Sequence, residues 1–214
     1  MFERSLCRPE NRRIDARLLV DGDHYDQLVA RELPAAKVSL WIATANLKEL
    51  RVQAPIGTRA RAKGRFVSVL ETLASLVDRG VELRILHGCP PSRPFRAALA
   101  KQPELARAGV LRECPRVHLK LFAIDGRLLY LGSANFTGAG IGARAEGRRN
   151  FELGLLTSDD HLLDVAQARF DSIWSGRECG SCKMRRDCPK PLDLAAGKLR
   201  TARAARLRRP SPSE

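Results

Sequence analysis

His118 and Lys120 stand two residues apart, Asp125 follows, and Gly132, Ser133 and Asn135 complete an eighteen-residue stretch. On extended backbone, residues i and i+2 share a side, so an imidazole and an ammonium lie together. That pair suits an anion. Asp125-Gly126 is a tight-turn signal between two apolar runs. The chain should therefore fold back and deliver Ser133 and Asn135 beside His118. A hydroxyl, an amide and an ammonium would then converge on the non-bridging oxygens of a phosphodiester, with the imidazole as nucleophile or acid. Glu152, in Asn150-Phe151-Glu152, opens the next strand-like run and lies close to this set in sequence.

A second group is built of thiols. Cys179, Cys182 and Cys188 have the spacing C-x2-C-x5-C-P. Three thiolates so placed can wrap one metal or cluster, and a fourth ligand must come from elsewhere. Cys7, Cys89 and Cys114 are the candidates. Lys183, Arg185 and Arg186 lie inside the knot, where they offset a cluster's negative charge or offer a basic surface to nucleic acid.

The elements that must position these groups alternate in type. Ala16–Val20, Val38–Ala45, Val81–Leu86, Val117–Ile124, Arg127–Leu131 and Phe151–Thr157 read as strands. Tyr25, Leu28, Val29 and Leu33 recur at helical spacing and end before Pro34. Phe66, Val69, Leu70, Leu73, Leu76 and Val77 form an amphipathic stripe closed by Gly80. A short helix over Phe95–Arg107 and a last one over His161–Trp174 complete the pattern. Strand–helix alternation followed by closely spaced strands predicts a mixed α/β sheet covered by helices. Residues 48–65, with six basic residues against one acidic, read as a long basic loop.

The phosphate-directed stretch resembles the phospholipase D superfamily, whose H-x-K-x4-D-x6-G-S-x-N signature is matched by His118, Lys120, Asp125, Gly132, Ser133 and Asn135. The resemblance spans roughly residues 14–175. It implies an α-β-α sandwich with a central mixed sheet and a small Cys-rich extension. It also implies a phosphohistidine intermediate, with Lys120, Asn135 and Ser133 holding the phosphate and no metal needed for that chemistry. Asp125 belongs to the motif but sits at the hairpin, which suits a structural role. Glu152 either orients the nucleophilic histidine, as an acidic residue near this place does in such families, or is an exposed salt-bridging residue. The family uses two motifs per active site and this chain has one. His24, His87 and His161 are not followed by Lys two residues on. A homodimer with one shared site follows. The cysteine spacing is similar to the C-terminal half of the iron–sulfur staple in RecB-like exonucleases, where a distant N-terminal cysteine completes a [4Fe-4S] cluster. Cys7 fits that role best, and zinc is the alternative metal. The expected organisation is an N-terminal segment 1–13, a catalytic domain 14–175, a Cys-rich knot 176–194 and a basic, disordered tail 195–214.

The chain has 214 residues with 38 Lys+Arg against 24 Asp+Glu, a formal net charge of +14. Hydrophobic residues at 44% suffice for a core and exclude a wholly disordered chain. No apolar run approaches the ~20 residues of a membrane span. The N-terminus lacks the apolar region of a secretory signal, so a cytoplasmic location and reduced thiols are expected. The charge favours nucleic acid as partner and leaves anionic lipid open. Aromatic residues are only 5%, and no amphipathic lipid anchor is evident. Three readings follow: a nuclease, a lipid phosphodiesterase, and a non-catalytic nucleic-acid-binding module.

Overall fold

The computed structural model describes residues 11–54, 57–188 and 190–194. Cys7 and the basic tail lie outside these residues. The architecture is the expected mixed α/β sandwich. Seven strands form one sheet in the order β1-β9-β8-β7-β2-β5-β6. They are β1 Ala16–Val20, β2 Ser39–Thr44, β5 Glu82–His87, β6 Leu111–Glu113, β7 Leu121–Ile124, β8 Leu128–Gly132 and β9 Leu153–Thr157. β2, β5 and β6 run parallel, and β2 pairs antiparallel with β7. β7, β8, β9 and β1 continue as an antiparallel meander with the edge strand β1 added.

The alternation of side chains sends alternate residues into two cores. One face buries Leu40, Ile42, Ile85, Phe122, Ile124 and Tyr130 beneath a π-helical segment, His24–Glu32, and the helix α2, Val69–Asp78. The other buries Ala43, Leu86, Leu121, Ala123 and Leu129 beneath α5, Asp160–Trp174. The segment His24–Glu32 closes with the Leu33 N–H on the Leu28 carbonyl at 2.8 Å, five residues back.

Several predicted boundaries move. Phe66 is not helical. Phe66–Ser68 form β4, which pairs with β3, Arg51–Gln53, in a separate ribbon. The reason is a capping box: the Ser68 side chain accepts from the Leu70 N–H while Glu71 accepts from the Ser68 N–H, so α2 starts at Val69. The stretch 48–65 is accordingly not a simple loop; it holds β3 and the helical turn α1, Arg59–Ala62. The predicted helix over 95–107 is two helices, α3 Arg93–Leu99 and α4 Pro103–Arg107, because proline restricts the residue before it and lacks an N–H. β6 was not predicted, being only three half-buried residues at the sheet edge. The Cys-rich segment is no detached appendage. Leu192 and Cys179 pack on the α5 core, and the 192–193 backbone passes so close to Gly176 that a Cβ there would lie 2.3 Å from the Asp193 nitrogen.

Candidate active site

The phosphate-directed residues gather at one end of the sheet, where β2 and β8 end and β7 and β9 begin. Predicted strand 117–124 is laddered only over Leu121–Ile124. The Gly132 N–H bonds to the Lys120 carbonyl at 3.2 Å, and beyond that point the chain leaves the sheet. Residues 114–120 instead pass over the end of β5. Gly88 makes this possible, since a Cβ there would fall 2.2 Å from the Val117 carbonyl oxygen. His118 is exposed and Lys120 half-buried. The Lys120 Nζ lies 3.1 Å from His118 Nδ1 and donates to the His118 carbonyl at 2.9 Å. The expected pairing of ammonium and imidazole is therefore present.

Burial pushes the Lys120 ammonium below the ordinary lysine range, while the Glu152 carboxylate pulls the other way. Glu152 is buried, at 8% exposure, which overturns the salt-bridging alternative. Within the chain it engages Ser133 rather than His118. It accepts a short hydrogen bond from the Ser133 hydroxyl and one from Asn150 Nδ2 at 3.0 Å. Its own backbone N–H is held by the Asp21 carboxylate at 2.8 Å. Asn135 is fixed through its carbonyl oxygen, which accepts the Ala45 and Asn46 N–H groups, both at 3.1 Å. That orientation leaves the amide donors of Asn135 for an anion.

Gly132 has a steric reason. A Cβ there would lie 2.3 Å from the Tyr130 hydroxyl and 2.7 Å from the Leu153 carbonyl oxygen. Its cross-strand partner Gly154 houses the same ring, with a Cβ position 2.3 Å from Tyr130 Cε2.

Asp125 is not part of this set. It stands at the far end of β7, roughly 16 Å along the strand from Lys120 at about 3.3 Å per residue. Its carboxylate accepts the backbone N–H groups of Lys37, Val38 and Ser39 at 2.7–3.1 Å. Asp125 and Gly126 both take positive φ, as a tight hairpin turn requires. Burial pushes its carboxyl up, but the three N–H groups and Arg127 outweigh this and hold it below the usual range. These contacts tie the hairpin after β7 to the start of β2. Sequence reasoning missed Asp21, Thr44 to Asn46 and Gly154 as supports of the site; only the turn signal Asp21-Gly22 pointed to any of them.

The thiols form a second locus. Cys114, Cys179, Cys182 and Cys188 line one small cavity with Arg116, Arg185, Lys190 and Leu192. Among the described residues no three His, Cys, Asp or Glu side chains are gathered tightly enough to hold a metal ion as they stand. Cys89 is exposed and lies outside this cavity.

A sequence model described as "Cardiolipin synthase, PLD-like domain" matches residues 29–174. The chain belongs to this family. Its fold is that of the phospholipase D superfamily of phosphodiester-acting enzymes. Nuc, a phospholipase D family member from Salmonella typhimurium, superposes with a TM-score of 0.51 at 18% identity, over 76% of this chain and 95% of that one. NucT from Helicobacter pylori gives 0.49 at 18% identity over 75% and 95%. The phosphatidylserine synthase of Haemophilus influenzae gives 0.48 at 18% identity over 91% and 46%. No curated protein matches the sequence. Among the described residues no helix is long and apolar enough to cross a membrane.

Proposed function

We propose that this PLD-like protein is a nuclease that cleaves phosphodiesters through a phosphohistidine, working as a homodimer. The observation that carries the reading is the gathering of His118, Lys120, Ser133, Asn135 and Glu152 at one sheet end. In the first step a His118 imidazole nitrogen attacks phosphorus and the bond to the leaving oxygen breaks. That oxygen takes a proton from His118 of the second chain. In the second step the same histidine accepts a proton from water as the water attacks phosphorus, and His118 is released. Lys120 and the Asn135 amide donate to the non-bridging oxygens, and Glu152 sets the Ser133 hydroxyl. Fixed cations and amides supply the charge stabilisation, so cleavage requires no added divalent ion.

An apolar sheet face supports the dimer. Leu18 and Val20 on β1, Leu131 on β8 and Leu153 and Leu155 on β9 are 38–58% exposed. Leu18 pairs with Leu155 and Leu155 with Leu131, so these form one patch, beyond the reach of α5 and adjoining Ser133. A second copy seated there buries the patch and brings a second His118 toward the first. Nucleic acid is favoured by the +14 charge and by exposed Arg148 and Arg149, which sit just before Asn150 and Glu152. One observation favours lipid instead: Phe151, 96% exposed beside the patch, suits insertion into a bilayer surface.

The test incubates wild type and His118→Ala with single-stranded DNA, duplex DNA, RNA, and phosphatidylcholine and cardiolipin vesicles. Nucleic-acid cleavage by wild type alone is expected. Cleavage of lipid only reverses the substrate assignment, and binding without cleavage favours a non-catalytic module. Leu155→Arg should yield a folded, inactive monomer; a monomer with full activity per chain overturns the shared site.

A further inference from the structure

Cys114 is separated from the knot cysteines by more than sixty residues, yet it lines the same cavity as all three. Two hydrogen bonds place it: its N–H reaches the His87 carbonyl at 2.9 Å, and its own carbonyl accepts the Val117 N–H at 2.8 Å. On the other side, Cys179 and Cys182 sit on consecutive turns, with the Cys182 N–H on the Cys179 carbonyl and the Arg185 N–H on the Cys182 carbonyl. Arg116 and Arg185 line the cavity beside the four thiols. Cations beside sulfurs suit thiolates that have lost their protons. Leu192, Pro115 and Pro191 give the cavity an apolar wall, and the four cysteines on it are half-buried.

We propose that Cys114, Cys179, Cys182 and Cys188 form one four-thiolate metal site, with Cys114 rather than Cys7 as the fourth ligand. Four sulfurs select a soft centre, a [4Fe-4S] cluster or a zinc ion. Either centre with four thiolates carries a net charge of about −2. Arg116, Arg185 and Lys190 on the cavity wall offset it, although Arg185 already pairs with Asp193 and Lys190 with Glu113. Ligation draws the side chains inward from their present spacing. It also has a structural consequence. Cys114 lies four residues before His118, so the centre would tie the knot after α5 to the segment that carries the nucleophile. Its role is to hold that segment, not to take part in phosphoryl transfer.

The test uses the full chain purified without oxygen. Metal analysis, acid-labile sulfide and visible absorption are measured for wild type and for Cys7→Ser, Cys89→Ser, Cys114→Ser and Cys182→Ser. Iron with sulfide and colour identifies a cluster; equimolar zinc in a colourless protein identifies zinc. Metal should be lost in Cys114→Ser and Cys182→Ser and kept in Cys7→Ser and Cys89→Ser. Since the first two variants can fail to fold, thiol alkylation of the wild type with peptide mapping provides an independent reading. Cys7 and Cys89 should react, while Cys114, Cys179, Cys182 and Cys188 stay protected until the metal is stripped. Protection of Cys7 with alkylation of Cys114, or wild-type protein with neither metal, overturns the proposal.

Discussion

Asp125 is the motif residue that stands apart from the others, bonded to the backbone of 37–39, and Asp125→Asn tests its structural role. Asparagine keeps the shape and tolerates the left-handed backbone at this position, where φ is 55°. It removes the charge and replaces the oxygen that accepts the second Lys37 contact with an amide donor. The carboxylate receives three backbone N–H donors at the start of β2, at 2.7–3.1 Å, and its side chain is 8% exposed. Hydrogen bonds to a charged acceptor are stronger than neutral ones by about 1 kcal/mol each. Three such bonds put the loss at about 3 kcal/mol; the neighbouring Arg127, half-exposed at 3.8 Å, adds little. For a chain of this size that corresponds to a fall in Tm of about 6–12 °C. The pH dependence follows from the lowered carboxyl. The folded state binds the proton less readily than the unfolded chain, so the stabilisation is complete above the ordinary Asp value of ~3.9 and is lost as pH falls through the lowered folded value. The Tm gap between wild type and variant should therefore close in acid. Scanning calorimetry across pH, with cleavage assayed below both melting points, checks this. Full activity in a less stable protein is expected. An unchanged Tm, or lost activity at full stability, would place Asp125 in the chemistry and refute the reasoning.

Lys120 is needed as a cation, and its proton is held less firmly than an exposed lysine's. Activity should decline as pH rises, with the alkaline limb below the ordinary lysine range, and Lys120→Arg should push that limb upward at reduced rate; an unmoved limb in the variant assigns it to another group. Gly154→Ala places a Cβ 2.3 Å from the fully buried Tyr130 ring and should cost about 1–3 kcal/mol by chemical denaturation. Unchanged stability would mean that the ring yields freely.

How far the fold was legible depended on where packing agreed with local pattern. β1, β2, β5 and α5 were readable because each carries a local signal of its own: short apolar runs in β1 and β2, alternation in β5, and apolar residues at helical spacing in α5. The helix over 66–77 was misplaced at its start because Phe66 and Val67 fit the helical stripe, while the capping box at Ser68 and the pairing with β3 override it. β6 escaped because three half-buried edge residues carry too little pattern. In the site, the pairing of His118 with Lys120 followed from alternation along an extended chain, and the return of Ser133 and Asn135 followed from the Asp125-Gly126 turn. Glu152's partner did not follow. Choosing between Ser133 and a histidine needs the relative heights of β8 and β9, which cross-strand register sets and local sequence does not.

The same division holds for the chain as a whole. Residue chemistry and spacing along one strand–turn–strand unit sufficed to propose a phosphodiester site, because its parts are neighbours in sequence and the turn brings them back together. The supports of that site and the companion of the knot cysteines were decided only by tertiary structure. Asp21, Asn46 and Cys114 come from segments far apart in the chain. Which of them meet depends on strand order and on close approaches such as Gly88 under Val117. Three of the six cysteines announce a locus by their spacing. That Cys114 reaches it follows from β6 running beside β5 and ending next to the turn after α5, a contact that no local pattern encodes.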